Sequence, residues 1–307
     1  MKVTVVICTF NRFESLVRTL ENVAASSLPA SWDWEVLVVD NNSNDQTREA
    51  VNGFCVRYPG RFRYLFEPQP GLSNARNAGL RAAHGDVLAF TDDDVTVSPE
   101  WLHNLTTELM DRQWAGAGGR TLPAQPFSPP EWLAKTDPFQ WGGVLGGLFD
   151  LGDKAVELHM APYGTNMAFR KQMFELYGEF RVDLGRRHGN LMGCEDTEFG
   201  NRLIAAGERL RYEPLAVAYH PIQDSRVNKQ YFLDWWFDYG RSSAREEGLV
   251  SPAIAGLKRY VEEPARISSQ LAGLTLRWLQ SPNPHLRFYR KCQVWKTVGK
   301  LREVYGK

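Results

Sequence analysis

Cysteine is scarce in this 307-residue chain, and the four that occur (Cys8, Cys55, Cys194, Cys292) share no close spacing. They make neither a zinc pattern nor a disulfide framework, so a reducing, cytoplasmic setting is the simplest expectation. Long apolar runs are missing as well. No stretch reaches the roughly 20 residues of a membrane span, and the nearest, Trp141–Leu151, is glycine-rich and carries Asp150. Met1 runs straight into a strand-like segment, without the basic region and cleavage site of a secretory signal. The turn after the first apolar run reads Thr9-Phe10-Asn11-Arg12 and lacks the glycines that let backbone amides approach a pyrophosphate. That absence argues against a dinucleotide-binding dehydrogenase. Internal repeats are absent too.

Lys/Arg and Asp/Glu are balanced at 36 each, but the balance hides a split. From Ser251 to Lys307 eleven Lys/Arg face only Glu262, Glu263 and Glu303, so this stretch carries +8 and residues 1–250 carry −8. Such a tail has two readings: it meets an anionic surface or phosphorylated acceptor, or it is a solvated helix face. Hydrophobic content of 43% and charged content of 23% leave an ordinary globular core. The length fits one large domain, or a domain plus an extension.

Val3–Cys8 is a β-branched run that suits a buried parallel strand, and Phe13–Ala25 follows with apolar residues at helical spacing. The alternation continues through Glu35–Val39, Asp45–Tyr58, Arg61–Phe66, Leu72–Ala83 and Asp86–Phe90. This pattern predicts an α/β fold around a mostly parallel, doubly wound sheet. Pro99–Met110 reads as a helix, Ala115–Thr121 as a strand, and Leu122–Leu151 as a long aperiodic segment of the functional or mobile type. Tyr163–Arg170, helices from Lys171 and from Glu195 to Ala206, and a strand near Leu210–Tyr219 complete a domain of residues 1–225. Residues 226–307 read as a helical, basic extension broken at Pro252, Pro264 and Pro282.

Ligands of open parallel sheets bind beyond the carboxyl ends of the strands. Three polar clusters fall at such ends: Thr9–Arg12, Asp40-Asn41-Asn42-Ser43 and Asp92-Asp93-Asp94. Adjacent carboxylates repel, so a cation suits the last of these, and hard oxygen ligands suit Mg²⁺ or Mn²⁺. A solvated turn is the alternative for the triplet taken alone.

These residues carry a resemblance. Val5–Arg12, Val38–Asp45, Gly71-Leu72-Ser73-Asn74-Ala75-Arg76-Asn77-Ala78-Gly79, Phe90–Asp94, Gly164–Arg170 and Gly193-Cys194-Glu195-Asp196-Thr197-Glu198-Phe199 resemble, in order, the motifs of family-two glycosyltransferases with the GT-A fold. The resemblance spans about residues 1–225 and leaves out the tail. It implies an inverting, metal-assisted transfer of a hexosyl or related group from a nucleotide-sugar to an acceptor hydroxyl. The implied setting is polysaccharide or glycoconjugate synthesis, with a glycan or lipid-linked acceptor, and nucleic acid is not an expected partner.

Carried over residue by residue, Thr9, Asn11, Arg12 and Asp40 would hold the nucleotide base, and Arg76 would approach the base or the pyrophosphate. A carboxylate can accept the imide N–H of uracil, so Asp40 favours UDP; a capping Asp ahead of Asn41 and Ser43 is the other reading. By similarity Asp92 contacts the ribose side and Asp94 the metal, and Asp93 could serve either way, so Asp92 and Asp93 both remain donor-site candidates. The catalytic base falls on Asp196, with Glu195 next in line, although acidic residues also simply complement a helix N-terminus. His220 would complete the metal site with Asp92 and Asp94. Arg226 is a candidate clamp for the diphosphate. Trp235, Trp236, Phe237 and Tyr239 read as helix packing in preference to a sugar platform. A sugar-phosphate nucleotidylyltransferase and a non-catalytic glycan-binding scaffold are the rival functions, and peripheral contact with an anionic inner membrane face is expected of the tail.

Overall fold

Four strands rich in apolar residues, β1 (Lys2–Thr9), β2 (Asp33–Asp40), β3 (Phe62–Phe66) and β4 (Val87–Asp92), pair in parallel in the order β3-β2-β1-β4. Both faces are covered, so successive side chains of one strand enter different cores. Val3, Val5 and Ile7, with Val36, Val38 and Ala89, meet α1 (Phe13–Ala24), α2 (Thr47–Arg57) and α4 (Trp101–Thr107). Val6, Leu37, Val39, Leu88 and Phe90 face α3 (Leu72–Ala82), α5 (Lys171–Tyr177) and α6 (Glu195–Ala205) on the other side. The structure, a computed structural model, describes residues 2–133, 141–187, 189–250 and 262–306. The break expected at Pro252 lies outside the described residues, as does part of the aperiodic segment.

Beyond β4 the sheet is mixed. Strands β5 (Thr96–Val97), β6 (Gly116–Pro123), β7 (Val156–Leu158), β8 (Asn166–Arg170) and β9 (Leu210–His220) extend the order to β3-β2-β1-β4-β8-β6-β9-β5, with β7 also on β9. β8 runs antiparallel to both β4 and β6, while β6 and β9 are parallel. A parallel neighbour needs a crossover of a dozen or more residues, usually a helix. Among the described residues no helix lies between β6 and β8, and β8 enters from the opposite direction. The helix expected from Pro99 starts at Trp101 and ends in a 3₁₀ turn, Glu108–Met110. Strands β5 and β7 were not expected: at two and three residues they are too short to show a period.

Aromatic packing fixes α6, which carries Glu195 and Asp196. Phe199 is fully buried, stacks on Phe174 with centroids 4.2 Å apart and meets Phe169 and Phe180 at 5.0 and 5.2 Å. Phe199→Ala is expected to cost about 3–5 kcal/mol through lost burial and a cavity, and to lower Tm by roughly 10 °C. Chemical and thermal denaturation measure this, and an unchanged midpoint would contradict the packing account.

The chain divides into two compact units. The first, Met1–Gln125, Gly146–Val182 and Glu195–Pro221, holds the sheet and its covering helices. The second, Pro126–Leu145, Asp183–Cys194 and Ile222–Lys307, holds α7 (Lys229–Glu246), α8 (Glu263–Leu279) and α9 (Pro284–Tyr305). In it α7 and α9 cross at backbone distance, because a side chain on Gly240 would strike the Lys296 carbonyl and one on Gly299 the Phe237 carbonyl. Trp236 meets Tyr289 of α9 edge-on and Trp235 stacks on Tyr239, so these aromatics serve helix packing. Among the described residues no helix is long and apolar enough to cross a membrane.

Candidate active site

Register places the polar strand ends side by side. Thr9 lies opposite Asp40 across β1 and β2, and Cys8 lies opposite Asp92 across β1 and β4. The turns beyond β1 and β2 interlock: the Asn11 amide donates to Ser43 Oγ at 2.9 Å, and the Asn44 amide donates to Asn11 Oδ1 at 2.8 Å. Asn11 and Asn42 both adopt left-handed backbone, φ 53° and 68°, a region that asparagine enters more readily than most residues. Asp40 is buried at 2% exposure. Its Oδ1 accepts the Ser43 amide and its Oδ2 the Tyr64 hydroxyl, at 2.8 and 2.7 Å.

The acidic triplet splits in two directions. Asp93 turns inward, accepting from Thr9 Oγ1 at 2.7 Å and Arg12 Nη1 at 3.2 Å. Burial pushes its carboxyl up to about 7; Arg12 and Thr9 oppose the rise, while Asp94 and Asp92 add to it. Asp92 and Asp94 instead meet His220, and all three offer ligand atoms within 4.8 Å of one another, while Arg12 Nη1 bridges Asp94 to Asp93. The pairing of β5 with β9 delivers His220: Thr96 lies opposite Tyr219, so the end of β9 falls beside the triplet. His220 Nε2 is 3.4 Å from Asp94 Oδ1. Its Nδ1 is buried with no hydrogen-bond partner among the described residues. Gly146, with φ +126°, packs against the imidazole, where a side chain would collide with the ring. Two carboxylates and an imidazole form a donor set that fits Mn²⁺ or Mg²⁺.

Two struts tie this cluster to the N-terminus of α6. In the first, the Gly164 amide donates to Asp196 Oδ2 at 2.6 Å, and the neighbouring Thr165 hydroxyl donates to Asp92 Oδ2 at 2.8 Å. In the second, the buried Arg76 guanidinium pairs with Glu195 and reaches Asp92 at 4.0 Å. Arg76 also packs over the Phe180 ring and against Gly164, where a side chain would strike the guanidinium. Asp196 Oδ1 accepts the Thr197 amide at 2.7 Å. Burial pushes the Cys8 thiol up to about 12, although Arg76 opposes the rise.

Residues 4–178 match the family described as "Glycosyl transferase family 2". The chain belongs to that family. This glycosyltransferase is 36% identical over 281 residues to Glycosyltransferase AglE of Haloferax volcanii, covering 87% of this chain and 84% of that protein. It is 28% identical over 255 residues to Succinoglycan biosynthesis protein ExoM of Rhizobium meliloti, covering 82% and 76%. Mannosyltransferase PcManGT from Pyrobaculum calidifontis, solved with GDP-Man and Mn²⁺, matches with TM-score 0.63 at 17% identity, covering 99% of this chain and 87% of that one. GalNAc-T7, solved with UDP, GalNAc and Mn²⁺, matches with TM-score 0.59 at 20% identity, covering 86% and 54%. Likeness at these identities speaks to the fold, which is GT-A. Family membership sets aside both the nucleotidylyltransferase and the scaffold.

The glycosyltransferase therefore gathers Thr9, Arg12, Arg76, Asp92, Asp93, Asp94, Glu195, Asp196 and His220 in one network, with Asn11 in the adjoining turn and Asp40 at the end of β2. Arg226 belongs to the second unit, in a 3₁₀ turn, and is buried. Sequence reasoning assigned no role to Tyr64, Gly146, Gly164 or Thr165. Gly164 and Thr165 stood inside a quoted motif, but their partners are 32 and 73 residues distant.

Proposed function

We propose that this glycosyltransferase is inverting and metal-assisted, moving a hexosyl or related group from a UDP-sugar to an acceptor hydroxyl in polysaccharide or glycoconjugate synthesis. The observation that carries the proposal is the convergence of Asp92, Asp94 and His220 beside the strand-end turns. A divalent cation held by these three would neutralise charge growing on the departing diphosphate. The chain's own residues do the rest. Thr165 orients Asp92, and Arg12 holds Asp94 with a hydrogen bond of 3.0 Å. Arg76 adds a buried positive charge beside Asp92.

Asp196 takes the proton from the attacking hydroxyl. Each of its oxygens accepts one backbone amide, from Gly164 and Thr197, and each keeps a second acceptor site for the acceptor alcohol. Glu195 is committed to Arg76 and holds the helix end in place. Asp40 supports uracil as the base, since both its oxygens retain a lone pair after bonding Ser43 and Tyr64. Four cysteines free of disulfides support a cytoplasmic setting.

A thermal-shift panel of UDP, GDP and TDP with and without Mn²⁺ tests the donor reading. Ligand at 100 times its Kd adds about 2.7 kcal/mol of apparent stability. UDP with Mn²⁺ is expected to give the largest shift, and UDP alone little. An equal or larger shift with GDP or TDP would overturn the choice of base.

A further inference from the structure

From Pro264 to Arg302 the chain has eight Lys/Arg and no Asp/Glu across 39 residues. Within the second unit some of these cations are neutralised, as Arg266 is by Glu263 at 2.7 Å on α8. Toward the end of α9, Lys300 pairs with Glu247 at 2.6 Å, and Glu303 of the same helix binds Arg241 and Arg245 of α7. Lys296 sits over the Tyr239 ring at 4.0 Å. Where α8 turns into α9 the situation differs. Arg277, Arg287, Arg290 and Lys291 make no ion pair with any carboxylate among the described residues.

The same end exposes apolar surface. On α8, Ile267 is buried and Leu271, Leu274 and Trp278 are half-buried, a helical stripe at spacings of four, three and four. A second stripe, Ala272, Leu276 and Leu279, is exposed, with Leu276 and Leu279 at 55% and 57%. The tip holds its shape: Arg290 Nη1 donates to the Arg277 carbonyl at 2.8 Å, and Lys291 lies over the Trp295 and Trp278 rings at 4.9 and 5.8 Å.

We propose that the α8–α9 tip is an interfacial docking element for an anionic lipid surface, with Leu276 and Leu279 entering the headgroup boundary and Arg277, Arg287, Arg290 and Lys291 facing the lipid charge. Two leucines and an alanine are far short of the roughly 800 Å² per partner of a stable protein interface. They suffice for reversible interfacial binding once several cations act with them. The proposal stands apart from the donor chemistry, because the test needs no nucleotide.

The test is flotation of the full chain with phosphatidylcholine vesicles, with and without phosphatidylglycerol, at low salt and at about 0.5 M salt, where screening is nearly complete. Wild type is expected to partition at least about tenfold better onto the anionic vesicles, and salt should release it. Leu276→Ser/Leu279→Ser and Arg277→Gln/Arg287→Gln should each cut that partition about tenfold with Tm unchanged, since these side chains are exposed. Failure to float, equal binding to neutral vesicles, or variants that bind like wild type would overturn the proposal. So would a dimer that the leucine variant dissociates without affecting flotation, which would make the occupant a second copy of the chain.

Discussion

Asp94→Ala is expected to abolish metal-dependent nucleotide binding, weakening Mn²⁺-UDP affinity at least about a hundredfold, since losing even an outer-shell partner costs 10–100-fold. The substitution removes one of the two carboxylates of the three-residue cluster, and with it a charged oxygen ligand of the kind a hard cation favours. The fold should not suffer. Asp94 stands among Asp92, Asp93 and Arg12, and losing it removes repulsion between carboxylates while Arg12 keeps its bond to Asp93. Tm without ligand should therefore hold or rise, while the Mn²⁺-UDP shift disappears. A variant that keeps the full shift would exclude Asp94 as a ligand.

Asp196→Asn is expected to leave Mn²⁺-UDP affinity within about twofold of wild type and to lower kcat by about 10²–10⁴, the usual contribution of a general base. Asparagine keeps the shape and one carbonyl oxygen, so one of the two amides from Gly164 and Thr197 stays bonded. The other would face an NH₂ group, at a cost of about 1 kcal/mol, which places the main loss in chemistry. Turnover and donor affinity measured on the same preparation separate the two. Near-full turnover would put the base elsewhere.

Much of this architecture was legible in the residues. Runs such as Val3–Cys8 and Glu35–Val39 have few alternatives to buried parallel strands, and polar residues that end such runs fall together once the strands pair in register. Direction was not legible. Whether Asp92, Asp93 or Asp94 faces a ligand depends on the turn into β5, and β5 exists only through its pairing with β9. The same short pairing brings His220 to the triplet, so the residues alone pointed to it only through the family resemblance. Arg76 read as a donor contact only through the family resemblance. Its burial against Glu195, 119 residues away, is a tertiary fact with no local signature. In the tail the charge excess could be counted, but which cations are neutralised depends on how α7 and α9 cross.

Asp92, Asp94 and His220 are expected to hold, together, one divalent cation that faces the nucleotide. Electron paramagnetic resonance of Mn²⁺ added to the protein with UDP tests this most directly, using chain labelled with ¹⁵N-histidine. Loss of the free Mn²⁺ signal at one ion per chain, with coupling to a single imidazole nitrogen that vanishes in His220→Ala, is the predicted result. Mn²⁺ that stays free in the presence of UDP, or binds without any imidazole coupling, would contradict it.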